Sequence, residues 1–234
     1  EYVLSALFVM TLEHDWQLVD KTVGIVGAGH VGTRLSAKLT ALGIRHLLCD
    51  PPLADAGDPR DFVDMSQIMQ CDIITLHVPL IEAGRALNVV LDVWENEPDI
   101  DQALVPYIAL ATAHIAGHTV EGKARGTEML YQQVCGQFGF TATKKLSDYL
   151  PVPQPDRLYV DETLRGQALL SALVLSVYDI RNDSKQFKES IHLPDQFRYI
   201  RKNYSIRREF AALSVNTGNN PGSEAIYALG FNRK

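Results

Sequence analysis

The sequence predicts an α/β fold, a doubly wound parallel sheet followed by a smaller α+β C-terminal portion. Three observations predict it. A glycine-rich turn lies between a strand-like and a helix-like run, and several short β-branched apolar runs follow it. Near residues 141–155 the texture changes, where LPVPQP brings its prolines close together. With 46% hydrophobic and 21% charged residues, the 234 residues are ordinary for a globular chain that can bury a real core.

The chain opens on an amphipathic helical pattern, Val3, Leu4, Leu7, Phe8, Met10 and Leu12, with no basic stretch before it. No apolar run approaches the roughly 20 residues that span a bilayer, so no membrane segment and no secretion signal are expected. Thr22 to Val26 then reads as a strand and runs straight into Gly27-Ala28-Gly29-His30-Val31-Gly32. A helix follows with Val31, Leu35, Leu39 and Leu42 on one face and Gly43 as its stop. This is G-x-G-x-x-G in strand, turn, helix context, the signature of a Rossmann-type dinucleotide site. Gly27 permits the turn, Gly29 lets backbone approach a pyrophosphate, and Gly32 lets the helix lie close on the strand, which leaves the N–H groups near His30 and Val31 aimed at an anion. Arg45 to Cys49 reads as the second strand and ends at Asp50. A carboxylate there accepts hydrogen bonds from ribose hydroxyls and repels a 2'-phosphate, which favours NAD over NADP. Asp72 to His77 makes a third strand.

The stretch LHVPLIEAGRALNVVLDVW is harder to fit. Ile73 to Val78 and Val89 to Val93 both look like buried strands, separated by what reads as the tail of a helix closed at Ala83-Gly84. A parallel crossover needs about a dozen residues or more. Either two elements are packed very tightly or a segment between Leu80 and Ile81 is absent. Beyond it, Asp92 ends the run Asn88 to Leu91, at the carboxyl edge where open α/β sheets place ligands. Pro98 disfavours helix at Glu97 and is expected to hold that carboxylate in an extended segment. Tyr107 to Thr112 reads as a strand delivering His114 to the same edge. Glu97 orienting the His114 imidazole would make a catalytic acid/base pair able to take a proton from a hydroxyl while hydride leaves the same carbon. The plainer alternatives are that His114 caps the following helix and that Glu97 is a solvated acid. No metal site is expected at His114 and His118, because Gly117 interrupts any helix between them.

In the C-terminal portion, residues 164–178 are apolar nearly all round, so that helix should be buried by more than its own small domain. Phe210 to Val215 reads as a strand, Thr217 to Pro221 as a turn, and Ser223 to Leu229 as a short helix stopped by Gly230. FRYIRKNYSIRREF, residues 197–210, mixes arginines with aromatics. It reads first as a solvated helix face, with Arg207 or Arg208 as candidates to hold a substrate phosphate. Net charge is -6, with bases in excess only beyond residue 140, and no groove-binding motif is present, so a nucleic-acid partner is not expected. Cys49, Cys71 and Cys135 are odd in number and lie in apolar surroundings, which points to buried, reduced thiols and a cytoplasmic protein.

GAGHVG with Asp50, then LDVWENEP, then HIAG, resembles the D-2-hydroxyacid dehydrogenases. CDPP, HIAGHTVEGKARGT and FRYIRKNYSIRREF resemble a branch acting on a phosphorylated 2-hydroxy acid. The resemblance implies NAD as cofactor, with His114 as proton donor/acceptor and Glu97 as its partner. It implies that Asp50 and Asp92 contact the ribose and nicotinamide ends, that Val78, Pro79 and Gly117 line the cofactor site, and that His118 stands where a substrate-touching tyrosine is usual. It implies an NAD-binding domain over residues 1–142 and a homodimerisation domain over 143–234. It also implies a further N-terminal substrate-binding domain and a catalytic arginine in a segment like N-A-C/S-R-G. That segment is not in this sequence; Arg85 belongs by position to a following helix, and the segment's place is between Leu80 and Ile81. Two alternatives stay open: a relative acting on another acid such as 3-phosphoglycerate, and an NAD-sensing dimer without chemistry.

Overall fold

The computed structural model describes residues 1–77, 88–218 and 220–233. Expectations for Val78, Pro79, the Ala83-Gly84 helix end, Arg85 and the Leu80–Ile81 junction fall outside those residues. The chain begins with α1 (Tyr2–His14), and β1 (Thr22–Val26) leads through the glycine turn into α2 (His30–Ala41) and β2 (Arg45–Cys49). Two short helices, α3 (Pro51–Asp55) and α4 (Met65–Ile68), precede β3 (Ile73–Leu76). β1 lies centrally and pairs in parallel with both neighbours, Val23 against His46 and against Ile73. Val23, Ile25 and Val26 are all buried, as a strand covered on both faces requires.

A second parallel pair, β4 (Val90–Leu91) and β5 (Leu110–Ala111), follows. The doubly wound sheet is thus observed in two pieces, with β3 and β4 on opposite sides of the residues left undescribed. The expected strand over Tyr107 to Thr112 is shorter than read, because Gln102–Tyr107 winds into a 3-10 helix around Pro106. Next come α5 (Val120–Phe138), β6 (Arg157–Tyr159), α6 (Gly166–Val177), α7 (Ile180–Ser190), α8 (Gln196–Lys202), β7 (Ser214–Asn216), α9 (Ser223–Ala228) and β8 (Asn232–Arg233). β6, β7 and β8 form a third sheet, again parallel. Phe210–Ala212 is a 3-10 turn, so the strand read from Phe210 begins only at Ser214.

One hydrophobic core joins the two ends of the chain. Leu4, Leu7 and Phe8 of α1, Ile25 of β1 and Leu39 of α2 pack with Leu169, Leu173 and Val174 of α6 and with Phe210, Val215 and Ile226. The all-round apolar helix is therefore buried by more than its own module, as its composition demands. The reading of α1 as amphipathic is corrected. Every residue from Leu4 to Thr11 is buried, because α6 and α7 pack against α1 as well, and exposure begins only at its end, from Leu12 to His14. Its polar residues are satisfied inside, the Ser5 hydroxyl donating to the Tyr178 carbonyl at 2.8 Å and accepting from the Ile180 N–H. Trp94, Phe187, Phe197 and Ile200 form a second cluster that ties the β4–β5 edge to α7 and α8. All three cysteines are free and buried.

Candidate active site

The glycine turn is built as its sequence requires. Gly27 has φ 90°, a region L side chains avoid, and its N–H donates to the Cys49 carbonyl at 2.9 Å, locking the turn to β2. A Cβ at Gly32 would stand 2.0 Å from the Gly27 carbonyl oxygen, so helix and turn touch backbone to backbone. At Gly29 a Cβ would meet nothing within 4 Å, leaving open space in front of the first N–H groups of α2. His30 and Val31 are exposed at that helix start. Val31 was expected on the buried face of α2; it is instead 60% exposed, next to exposed Gly29 and His30 at the helix start. Asp50 sits beside the turn: one carboxylate oxygen accepts the Ala28 N–H at 2.8 Å and the other accepts from Leu53, capping α3. Backbone N–H groups, open space and an adjoining carboxylate fit the pyrophosphate and adenosine ribose of a dinucleotide.

Nothing in the sequence pattern marked Arg60, yet it braces this turn from outside. Its guanidinium donates to the Ala28 carbonyl at 3.0 Å and to the Thr33 hydroxyl at 2.8 Å, while Asp58 accepts from Nε and Nη2. Those bonds hold the Asp58 carboxyl down at about 2.

At the end of the β4–β5 pair the geometry converges on His114. Its Nδ1 lies 2.8 Å from Glu97 Oε2, and Glu97 Oε1 accepts the Trp94 N–H at 2.8 Å. Trp94 is itself fixed, stacked on Phe187 and donating from its indole to the Thr112 carbonyl. An ionised Glu97 places the hydrogen on Nδ1 and leaves Nε2 free to accept a proton; the imidazole is 44% exposed and so reachable. Glu97 does not lie in the extended segment expected from Pro98. It occupies a turn in which Asn96 has φ 58° and Asp99 N–H bonds the Asn96 carbonyl, and this turn swings the carboxylate back toward His114. The cap of α5 is the Thr119 hydroxyl, which accepts the Gly122 N–H, so His114 is free of that duty.

Asp92 does more than mark the strand end. Its Oδ1 accepts from the Thr112 hydroxyl at 2.6 Å and from the Ile115 N–H at 2.7 Å, and its Oδ2 accepts from the Ala116 N–H at 2.8 Å. Gly117 follows in the same loop, exposed and with open space where a Cβ would stand. His118 lies edge-on to Tyr204, ring centroids 5.8 Å apart, and burial together with the positive charges of Lys123 and Arg201 pushes its pKa down, favouring a neutral imidazole. Neither arginine proposed for a phosphate is free. Arg207 is buried with its guanidinium on the carbonyls of Ile115 and Ala116, and Arg208 pairs with Glu121 at 2.6 Å and bonds the Pro151 carbonyl. The solvated-face reading holds on α8, where Arg198, Tyr199 and Lys202 are exposed and Phe197 and Ile200 form the buried face, and it fails at Arg207, which is buried. Among the described residues no cluster of three or more His, Cys, Asp or Glu side chains could hold a metal ion.

Residues 10–88 match the NAD binding domain of the D-isomer specific 2-hydroxyacid dehydrogenases, and residues 149–230 match a domain of unknown function (DUF3410). The erythronate-4-phosphate dehydrogenase of Pseudoalteromonas atlantica is 73% identical over 277 aligned positions, which take in 100% of this chain and 74% of the relative. This chain belongs to the erythronate-4-phosphate dehydrogenase family. The enzyme of that name from Colwellia psychrerythraea is 39% identical, across 100% of this chain and 72% of its own length. The family's NAD-binding unit is the one whose glycine turn, central β1 and Asp50 are described above. It makes the chain an NAD-dependent dehydrogenase in which bound NAD supplies the hydride acceptor. The 277 positions exceed the 234 residues of the chain, so the relative has positions without a counterpart here.

Proposed function

We propose that this protein oxidises the 2-hydroxyl of 4-phospho-D-erythronate to 3-hydroxy-2-oxo-4-phosphooxybutanoate with NAD, in the synthesis of pyridoxal 5'-phosphate. The observation that carries the reading is the His114–Glu97 pair, with Nδ1 and Oε2 2.8 Å apart and no hydrogen bond to Nε2 from the described residues. His114 takes the hydroxyl proton at Nε2, Glu97 keeps the ring oriented, and Asp92 holds the loop from which the ring projects. Asp50 and the first N–H groups of α2 bind the adenosine and pyrophosphate ends, and Gly117 lines the nicotinamide side. His118 is the substrate-side donor on the same loop. The arginine that would meet the substrate carboxylate is absent from this sequence, and we place its segment between Leu80 and Ile81.

The organisation we propose is an NAD-binding domain over 1–142 and a homodimerisation domain over 143–234, in a cytoplasmic enzyme without nucleic-acid or membrane partners. No helix among the described residues is long and apolar enough to cross a membrane. A second copy is supported by exposed apolar side chains on both sides of that domain boundary, Leu130 and Phe138 of α5 and Tyr149, Val152 and Tyr159 beyond it, each more than 60% exposed.

NADH formation by the full-length protein, followed with 4-phospho-D-erythronate and 3-phospho-D-glycerate in parallel, tests the substrate. The first acid is expected to be favoured in kcat/KM by at least about tenfold. The reverse preference would assign the other acid, and NAD binding without turnover of either would leave the sensor reading.

A further inference from the structure

Arg207, Arg208 and Glu209 dock as a unit on the loop and helix that follow His114. Arg207 Nη2 donates to the Ile115 and Ala116 carbonyls at 3.0 and 2.5 Å, and the Arg207 carbonyl accepts the Val120 N–H. Arg208 pairs with Glu121, while Glu209 accepts from Thr119 and Arg125. All three residues lie in the portion matched to the domain of unknown function, some ninety positions along the chain from the loop they hold.

We propose that Arg207 is a positioning residue for His114, clamping the catalytic loop so that the imidazole points at substrate. The proposal rests on His114 being the proton acceptor. His114 has φ 53°, left-handed for a non-glycine residue, and such a conformation persists only where the surroundings over-determine it. Here they do. The His114 N–H is held by the Asp92 carbonyl at 2.7 Å, and the next two N–H groups are taken by the Asp92 carboxylate. The carbonyls of the same two residues, Ile115 and Ala116, are taken by one guanidinium nitrogen. Ile115-Ala116 is therefore gripped by an anion on its donor side and a cation on its acceptor side, both charge-assisted.

The guanidinium is itself immobilised. It is 5% exposed and lies 4.3 Å from the centre of the Tyr178 ring. Its Nη1 donates to the Tyr204 hydroxyl at 3.1 Å, and Tyr204 and Tyr178 both donate to Asp183. Among the described residues Nε has no hydrogen-bond partner, so the polar contacts of the guanidinium run through its two Nη groups. A lysine would keep the charge but could not reach two carbonyls and a phenol in a fixed fork.

Arg207→Lys and Tyr204→Phe in the full-length protein test this. Arg207→Lys is expected to lower kcat about 100-fold, since an ångström of misplacement at a reacting group has that effect. Tyr204→Phe, which removes only the hydroxyl orienting the guanidinium, is expected to lower kcat about tenfold, with KM for NAD unchanged in both. Independently of turnover, nitrogen NMR of the His114 ring is expected to show one Nδ1–H tautomer in the wild type and averaging in the variants. A fall in Tm alone, with wild-type kcat and a wild-type His114 spectrum, would overturn the proposal. Should Arg207→Lys fail to fold, Tyr204→Phe gives the same two readings. Absence of turnover in the wild type would remove the dehydrogenase reading, and the His114 spectra of the variants would still decide the role of Arg207.

Discussion

Replacing His114 with Asn is expected to lower kcat by about 10³-fold, within the range seen when a positioned acid–base group is removed, while NAD binds with unchanged affinity. Asparagine is the right replacement because it tolerates the left-handed backbone that His114 adopts, φ 53°, so the loop keeps its course and only the imidazole is lost. Glu97 would stay bound to the Trp94 N–H through Oε1, and Asp92 would still hold Ile115 and Ala116. Steady-state kinetics together with calorimetric NAD titration separate the two effects. A variant with near wild-type kcat would transfer the proton to some other group, and a variant that lost NAD binding would make His114 part of the cofactor site.

The glycine turn supports an equally sharp contrast. Gly32→Ala is expected to lose both stability and cofactor affinity, because its Cβ would stand 2.0 Å from the Gly27 carbonyl oxygen, a backbone atom that cannot rotate away. The neighbouring Gly27 N–H is tied to β2, so α2 must move instead. Overpacking of this kind costs about 1–3 kcal/mol, and displacing the helix start weakens its grip on the pyrophosphate. Gly29→Ala is expected to fold like the wild type, since φ is -67° and nothing lies within 4 Å of the new Cβ, yet to bind NAD weakly because the methyl fills the space where the phosphate approaches. Thermal melts and NAD titration read both. Equal Tm for all three proteins, or NAD bound by Gly29→Ala as by the wild type, would contradict this geometry.

What could be read from sequence was local. The glycine turn, Asp50 and the helix start lie within one strand–turn–helix unit, and each is dictated by backbone approach over a few residues. Glu97 and His114 were legible because both follow short apolar runs ending at one sheet edge, although the turn that swings Glu97 round through Asn96 was not. The burial of α1 on all sides was missed because it depends on α6 and α7, whose residues lie far along the chain. Val31 was misplaced because helical periodicity says which face a residue shares and is silent on whether that face is covered at the helix start. Strand limits shifted at Tyr107 and Phe210 because 3-10 turns use the same apolar residues. Arg60 and Arg207 act on backbone carbonyls, and a carbonyl acceptor leaves no trace in the side-chain pattern.

The most direct measurement is a crystal structure of the full-length protein grown with NAD and 4-phospho-D-erythronate. The pyrophosphate is expected on the first N–H groups of α2, the adenosine ribose on Asp50, and the substrate 2-hydroxyl about 2.6–3.2 Å from His114 Nε2 with its carbon facing the nicotinamide. A nicotinamide lying away from the His114 loop, or a substrate hydroxyl facing any group other than that imidazole, would contradict the assignment.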